Sequence, residues 1–346
     1  MTVGIGIIGL GRLGQVRARA LATRVDGARL VAVTDLDPAL ADSTAARYGA
    51  VATRSAAELV GRDDIDGVVV ATPTSVHVAP VELVAGAGKA LFCEKPLAST
   101  MADHRHLVDI IDRAGIACMV GFNRRCDPEF LDARRLIVEG AIGKPTYLHG
   151  RMRDPFPPPP WARDPGAGGG LFIDMLIHDF DSARMLLAQE VTQVFAQSAN
   201  LVVDAGDIVG FADNATVALE FESGALGQMH SSMHAAYGYD VRTEVFGERG
   251  TIEIGSLQRH NVMLAAEGRG LTHPDTFLPE GDIPHAMFRF GAAYEAEMAV
   301  FAEVVTGART APANHHDALA AFRVAAAARE SQRRNQPVQI AEISDS

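Results

Sequence analysis

Apolar runs of strand length alternate with helically spaced stretches through the first third of the chain. "VGIGII" is a continuous apolar run ended by glycines, and "RLGQVRARALA" after it carries apolar positions at helical intervals. The pattern repeats, with "RLVAVTDLDP" as a strand, "DPALADSTAARYG" as a helix, "GVVVATP" as a strand and "SVHVAPVELVAGAG" as a helix. "KALFCEKPL" then reads as a strand, "MADHRHLVDIIDRAG" as a helix and "IACMVGF" as a strand. Such alternation predicts an α/β fold, a parallel sheet with helices on both faces and its ligand at the carboxyl ends of the strands. "TPTSVH" (72–77), "EKP" (94–96) and "FNRR" (122–125) fall at those ends. Farther along, "NATVALEFESGALGQMHSSM" reads as two strands around a turn at Ser223 and Gly224, with more strands at 240–247 and 251–254.

One helical stretch departs from its own apolar pattern. "GGGLFIDMLIHDFDSARMLLA" (168–188) places Asp174, His178 and Asp181 four and then three positions apart, on one helix face. Phe172, Met175, Leu176, Phe180 and Leu186 predict burial of the same helix, so its polar groups need partners or a ligand. Carboxylates holding a core histidine and a functional site are both open readings of this stretch alone.

At 346 residues, nearly half of them apolar, the chain predicts two globular domains. A net charge of -12 argues against nucleic acid as a partner, since phosphate binding is carried by clustered lysine and arginine. Three cysteines, Cys93, Cys118 and Cys126, lack metal-site or disulfide-framework spacing and fit a reducing cytoplasm. No apolar run reaches membrane-spanning length and the N-terminus has no export-signal pattern, so neither a membrane nor secretion is expected.

Gly9, Gly11 and Gly14 have the G-x-G-x-x-G spacing between a strand and a helix. There the first glycine permits the turn, the second admits a pyrophosphate, and the third lets helix and strand pack closely. Asp35 stands 21 residues beyond Gly14 at the end of the next strand, placed to accept from both ribose hydroxyls and to repel the extra phosphate of NADP. NAD is the expected cofactor. Asp37 is the competing acid, but Pro38 follows it and it reads as a helix cap. His104 and His106 read as surface histidines, and His315 and His316 as a helix entry, because adjacent helix positions do not face one another. No metal site is expected.

"GLGRLG", "EKPL", "GFNRR" and "GGGLFIDMLIHDFD" together resemble the Gfo/Idh/MocA oxidoreductase family, most narrowly its inositol 2-dehydrogenases, and the likeness spans almost the whole chain. The resemblance implies Lys95, Asp174 and His178 as the catalytic set. The cofactor set is then Gly9, Gly11, Arg12, Leu13, Gly14, Asp35, Thr72, Pro73, His77, Glu94, Lys95 and Asn123. Substrate contacts fall to Arg124, Arg153, Asp154, Asp174, His178, Asp181 and Tyr237. For Arg153 and Asp154 a mutual salt bridge competes with substrate contact, and for Tyr237 and Tyr239 packing does. One departure from the family pattern is the Pro-rich "FPPPPWARDP", whose Trp161 would reshape the mouth of a pocket.

The expected architecture is an N-terminal Rossmann domain over 1–122 and a C-terminal α+β domain over 123–346. The second has a large, open, mainly antiparallel sheet with helices on one side. In the family that open face commonly meets a neighbouring subunit, which implies a homo-oligomer, a dimer or tetramer. The implied chemistry is NAD-dependent oxidation of a secondary alcohol of a cyclic polyol, myo-inositol or another isomer. His178 would act as base, Asp174 would orient it and Lys95 would stabilise the alkoxide. Another sugar as substrate is the alternative within this chemistry. A nucleotide-bound sensor without catalysis is the alternative outside it.

Overall fold

The computed structural model describes residues 2–155, 169–204, 208, 210–255, 264–266, 270–272 and 286–344. The Pro-rich segment from 156 onward and Trp161 lie outside the described residues. The chain forms two compact units, one of residues 1–127, 292–320 and 345–346, the other of 128–291 and 321–344.

The first unit holds a six-stranded, all-parallel sheet in the order β3-β2-β1-β4-β5-β6. Its strands are β1 (Val3–Ile8), β2 (Ala28–Thr34), β3 (Val51–Ala52), β4 (Gly67–Val70), β5 (Ala90–Cys93) and β6 (Cys118–Val120). The helices between them are α1 (Arg12–Thr23), α2 (Pro38–Tyr48), α3 (Ala56–Val60), α4 (Val78–Gly86) and α5 (Met101–Ala114). β1 and β4 are buried along their whole length, as a sheet covered on both faces requires. Asp37 caps α2, its side chain accepting from the Ala39 amide behind Pro38.

A boundary at residue 122 leaves the late helix in the second domain, whereas the compact units are discontinuous. The end of α8 (Ala286–Val305) joins the core of the first unit, where Met298, Phe301 and Val304 pack with Ile5, Ile7 and Phe92. Phe301 meets Phe92 edge to face at 5.7 Å. Gly67 makes room for this helix, since a Cβ there would lie 2.8 Å from Val305 Cγ2. The apolar surface of the nucleotide sheet is closed by residues synthesised long after it.

The second unit is built on a seven-stranded mixed sheet ordered β12-β11-β7-β10-β9-β8-β15. Its strands are β7 (Pro145–Arg153), β8 (Val191–Ala199), β9 (Asn214–Phe221), β10 (Leu226–Ser232), β11 (Asp240–Gly247), β12 (Gly250–Ile254) and β15 (Val338–Gln339). Only β7 and β10 pair in parallel; the β9–β10 hairpin turns through Gly224 in the left-handed region, as its sequence predicts. A short separate hairpin joins β13 (Leu264–Ala266) to β14 (Gly270–Thr272). The described helices of this unit are α6 (Pro128–Val138), α7 (Ile177–Leu187), the first residues of α8 and the later part of α9 (His315–Arg334). α7 covers the face of β7 that carries Gly150, where a Cβ would come 2.3 Å from Met229 Sδ and 3.2 Å from Asp179 Oδ1. Ser331 of α9 accepts from the Ala196 amide on the same sheet.

Candidate active site

In the first unit the glycine loop is shaped by close approaches. Gly9 has φ +92°, and a Cβ on it would lie 2.8 Å from the Ala71 carbonyl. A Cβ on Gly14 would lie 2.0 Å from the Gly9 oxygen, so strand end and helix meet here without side chains. Gly11 has nothing within 4 Å of where its Cβ would be. α1 begins at this exposed glycine with no side-chain cap and no acid in its first turn, which leaves its leading amides and positive dipole end for an anion. Arg12 is exposed and Leu13 half-buried beside it.

Asp35 follows β2 and is held from two sides. The Leu10 amide donates to its Oδ2 at 2.7 Å and the Asp37 amide to its Oδ1 at 2.9 Å. The carboxylate is therefore fixed at the edge of the glycine loop, with remaining lone pairs for hydroxyl donors. Asp37, spent on its helix cap, is the poorer ribose ligand.

The ends of β4 and β5 are tied together by His77. Its ring is buried, with Nε2 2.9 Å from Thr72 O, and Nδ1 3.1 Å from Pro96 O and 3.3 Å from Leu97 O. Burial lowers its pKa. Direct cofactor contact is expected of His77; its ring is buried between these carbonyls, and in the neutral form its single N–H donates on one side only. Thr72 itself is half-buried, and its hydroxyl is buried with no hydrogen-bond partner among the described residues, an orphan beside the glycine loop. Lys95 is half-buried at the end of β5, between Glu94 and a cis-linked Pro96. Glu94 Oε1 accepts from Arg17 Nε at 2.9 Å, so part of that carboxylate already serves the protein. Asn123 and Arg124 are buried in a short 3₁₀ turn, Asn123–Cys126, after β6.

In the second unit the polar stretch is not one regular helix. Leu171–Met175 forms a π-helical turn, with the Leu176 amide donating to Leu171 O at 3.0 Å, and α7 starts only at Ile177. Gly169 and Gly170 precede it with positive φ; a Cβ on Gly169 would lie 2.7 Å from Ile173 Cγ2. Asp174 is exposed and His178 half-buried, whereas Asp181 is 1% exposed with Arg184 Nη1 3.7 Å from its Oδ1. Asp174 and His178 are accessible, whereas Asp181 is buried beside Arg184.

Arg153 and Tyr237 were also expected at substrate. Gly150 faces α7, and alternation along β7 turns Arg153 to the opposite face of the sheet. There Arg153 Nη1 donates to the Tyr237 hydroxyl at 2.8 Å, and that hydroxyl donates to Asp240 Oδ2 at 2.7 Å. Arg153 pairs with this group and with His230, not with Asp154, whose backbone joins Ser232 and Ala235. Arg153, with Tyr237 bonded to it, thus stands on the sheet face opposite Gly150.

His315 and His316 open α9 as expected, and they meet a common partner. The rings of His315 and His316 lie 4.3 Å apart and both reach Asp112 Oδ1, at 2.8 and 3.1 Å. The ligand atoms of these residues lie within 4.8 Å of one another, close enough for a metal ion. His315 Nδ1 is buried without a hydrogen-bond partner among the described residues. A metal on Nε2 would place the proton on that buried nitrogen with no acceptor, a cost of about 1–3 kcal/mol. The trio is better explained as hydrogen bonds joining α5 to α9, which also hold the Asp112 carboxyl below its usual range.

Residues 3–122 match the family model of the Gfo/Idh/MocA oxidoreductases with an NAD-binding Rossmann fold, and residues 130–253 match the C-terminal domain of the same family. The chain is 40% identical to inositol 2-dehydrogenase from Rhizobium meliloti, over 99% of its own length and 100% of the relative's. The chain belongs to the Gfo/Idh/MocA oxidoreductase family. It is also 38% identical to scyllo-inositol 2-dehydrogenase (NAD+) from Bacillus subtilis, over 96% of this chain and 95% of that one. A crystal structure of scyllo-inositol dehydrogenase from Lactobacillus casei with NAD(H) and scyllo-inositol superposes with a TM-score of 0.86. The two are 28% identical, with 99% of this chain and 100% of that one covered.

The protein is thus an NAD-dependent oxidoreductase with a Rossmann domain, and its residues fit that cofactor. Gly11 leaves open space before an uncapped helix, Asp35 is held rigid, and Thr72 presents an orphan hydroxyl. Asp35→Ser is expected to raise the ratio of kcat/KM with NADP to that with NAD by about tenfold or more, because it removes a like charge from the site of the extra phosphate. Initial rates with both cofactors check this, and an unchanged ratio would remove Asp35 from the ribose site.

Proposed function

We propose that this family member oxidises a secondary hydroxyl of an inositol, myo-inositol or another isomer, to the ketone. What carries the reading is the likeness over nearly the full chain to inositol 2-dehydrogenases, in a protein that has Lys95 at a strand end and Asp174 and His178 accessible on one helical stretch. NAD, when bound, supplies the hydride acceptor. His178 takes the hydroxyl proton, and Asp174 steadies the ring and its charged form. The Lys95 ammonium donates to the oxygen as negative charge grows on it. Asn123 and Arg124 serve the cofactor and substrate from the turn after β6, and Arg153, Asp154, Asp181 and Tyr237 are the candidates for ring hydroxyls in the second unit. The test is NADH formation from myo-, scyllo- and chiro-inositol, glucose and other sugars, with NAD. An inositol should exceed every hexose in kcat/KM; a hexose in first place would transfer the substrate assignment to that sugar.

A cytoplasmic homo-oligomer is part of the same proposal. Cys93, Cys118 and Cys126 are buried free thiols, which suits a reducing compartment. The sheet face away from α7 carries Leu226 and Phe246, 55% and 52% exposed, opposite Tyr147 on either side. A shallow groove of about 290 Å³ adjoins them, lined by Tyr147, Phe195, Ala218 and Leu226. Such a face favours cover by a second copy. Light scattering should give a dimer or tetramer for the wild type, and a smaller species for Phe195→Glu combined with Leu226→Glu. A monomeric wild type would refute it.

A further inference from the structure

Arg17 lies on the buried side of α1, three residues beyond Gly14, and is fully buried. Its guanidinium joins three points of the first unit. Nε donates to Glu94 Oε1 at 2.9 Å, Nη1 donates to Tyr294 O at 2.9 Å, and Nη2 lies 2.7 Å from Glu297 Oε2. The rings of Phe92 and Tyr294 flank it at 4.8 and 5.0 Å. Glu297 is fully buried and Glu94 nearly so. Burial raises the Glu297 carboxyl above its ordinary range although Arg17 pulls it back.

The arrangement is costly as a core. One cation faces two buried carboxylates, and well-packed apolar residues often equal or exceed such groups in stability. What the ion group supplies that apolar residues would not is geometry. A guanidinium presents its donors in a rigid planar fork, so its hydrogen bonds to Glu94 and to Tyr294 O fix those two groups relative to one another, with Glu297 as the ion-pair partner beside them.

The partner that matters is Glu94, because Lys95 follows it directly. On its other side the Glu94 carboxylate lies against Gly121, where a Cβ would come within 2.9 Å of Oε2. Across the lysine, the Pro96 carbonyl is 3.1 Å from His77 Nδ1. The backbone that bears Lys95 is thus held at Glu94 through Arg17, with the buried His77 ring packed against the Pro96 carbonyl.

We infer that Arg17, anchored by Glu297 and flanked by Phe92 and Tyr294, is a positioning residue for Lys95, acting through the Glu94 carboxylate. The inference rests on the reading of Lys95 as the group that stabilises the alkoxide.

The test compares full-length wild type, Arg17→Lys, the double variant Arg17→Met with Glu297→Leu, and Lys95→Met. Each is assayed with NAD and the best polyol for kcat, KM for NAD and thermal midpoint. Arg17→Lys keeps the charge and loses the fork; its kcat should fall by about tenfold to hundredfold, the scale of a small misplacement of a reacting group, with KM for NAD within about threefold. The double variant removes Arg17 together with the Glu297 carboxylate it would otherwise strand but leaves Glu94 without its cation, so its midpoint reports the structural cost, while its kcat should stay low with KM for NAD within about threefold. That split separates positioning from a merely structural role. Wild-type kcat in the double variant, or kcat within about twofold in Arg17→Lys, would overturn the inference, and either variant alone decides if the other does not fold. Full turnover in Lys95→Met would remove the reading of the lysine and this inference together. An inactive Lys95→Met beside a fully active Arg17→Lys would remove the inference alone.

Discussion

Lys95→Met is expected to lower kcat by about a thousandfold while leaving NAD affinity within about threefold of the wild type. The methionine keeps length and apolar stem and deletes only the ammonium. The phosphate and ribose contacts assigned to Gly9, Gly11, Asp35 and the start of α1 are left unchanged by the substitution. The loss is therefore confined to charge developing on the reacting oxygen. His178→Ala should lose turnover on the same scale, because nothing remains to take the hydroxyl proton. The two differ with pH: a variant without its base should recover part of the rate as hydroxide rises, and one without the ammonium should not. Steady-state rates across pH, with NAD titrated by fluorescence, check both. Near wild-type kcat in either folded variant would take that residue out of the mechanism.

Gly14→Ala should cost about 3 kcal/mol or more of stability and abolish measurable NAD binding. The added carbon would stand 2.0 Å from the Gly9 carbonyl oxygen, so α1 must leave β1 or the loop must open. Gly11→Ala provides the contrast, because its Cβ meets nothing within 4 Å. It should fold with an unchanged denaturation midpoint and weaken NAD by about tenfold, the added methyl intruding only when pyrophosphate approaches. Chemical denaturation and cofactor titration on both variants test the assignment. Equal destabilisation by the two substitutions would mean that the loop is shaped by packing alone.

The nucleotide fold was legible because its signals are local. β1, the glycine turn, α1 and the Asp37–Pro38 helix start each sit within a few residues of the pattern that predicts them. The second sheet was legible as strands and a turn at Gly224, since alternation and turn chemistry are also short-range. Apolar spacing in α8 marks a helix but not the sheet it covers, so the discontinuity of the first unit stayed hidden. Within the polar stretch, the π turn at Leu171–Met175 and the burial of Asp181 stayed hidden, because nothing in the residue types announces them. Two features had signals that a closer reading would use. Strand parity alone separates Arg153 from Gly150 on β7, and Arg17 is a cation on the face of α1 that carries Gly14, Ala18 and Leu21.

The late arrival of Phe301 and Val304 in the first unit bears on how the protein is made. A growing chain that has just completed β6 has every strand of the nucleotide sheet, yet the cover over Ile5, Ile7 and Phe92 is still unsynthesised. At ribosomal rates of roughly 5–20 residues per second, that surface waits on the order of ten seconds or more before its helix emerges. A fragment ending after residue 127 would keep it uncovered permanently and should precipitate or bind chaperones. Linking residues 292–320 back to such a fragment should yield the soluble Rossmann unit.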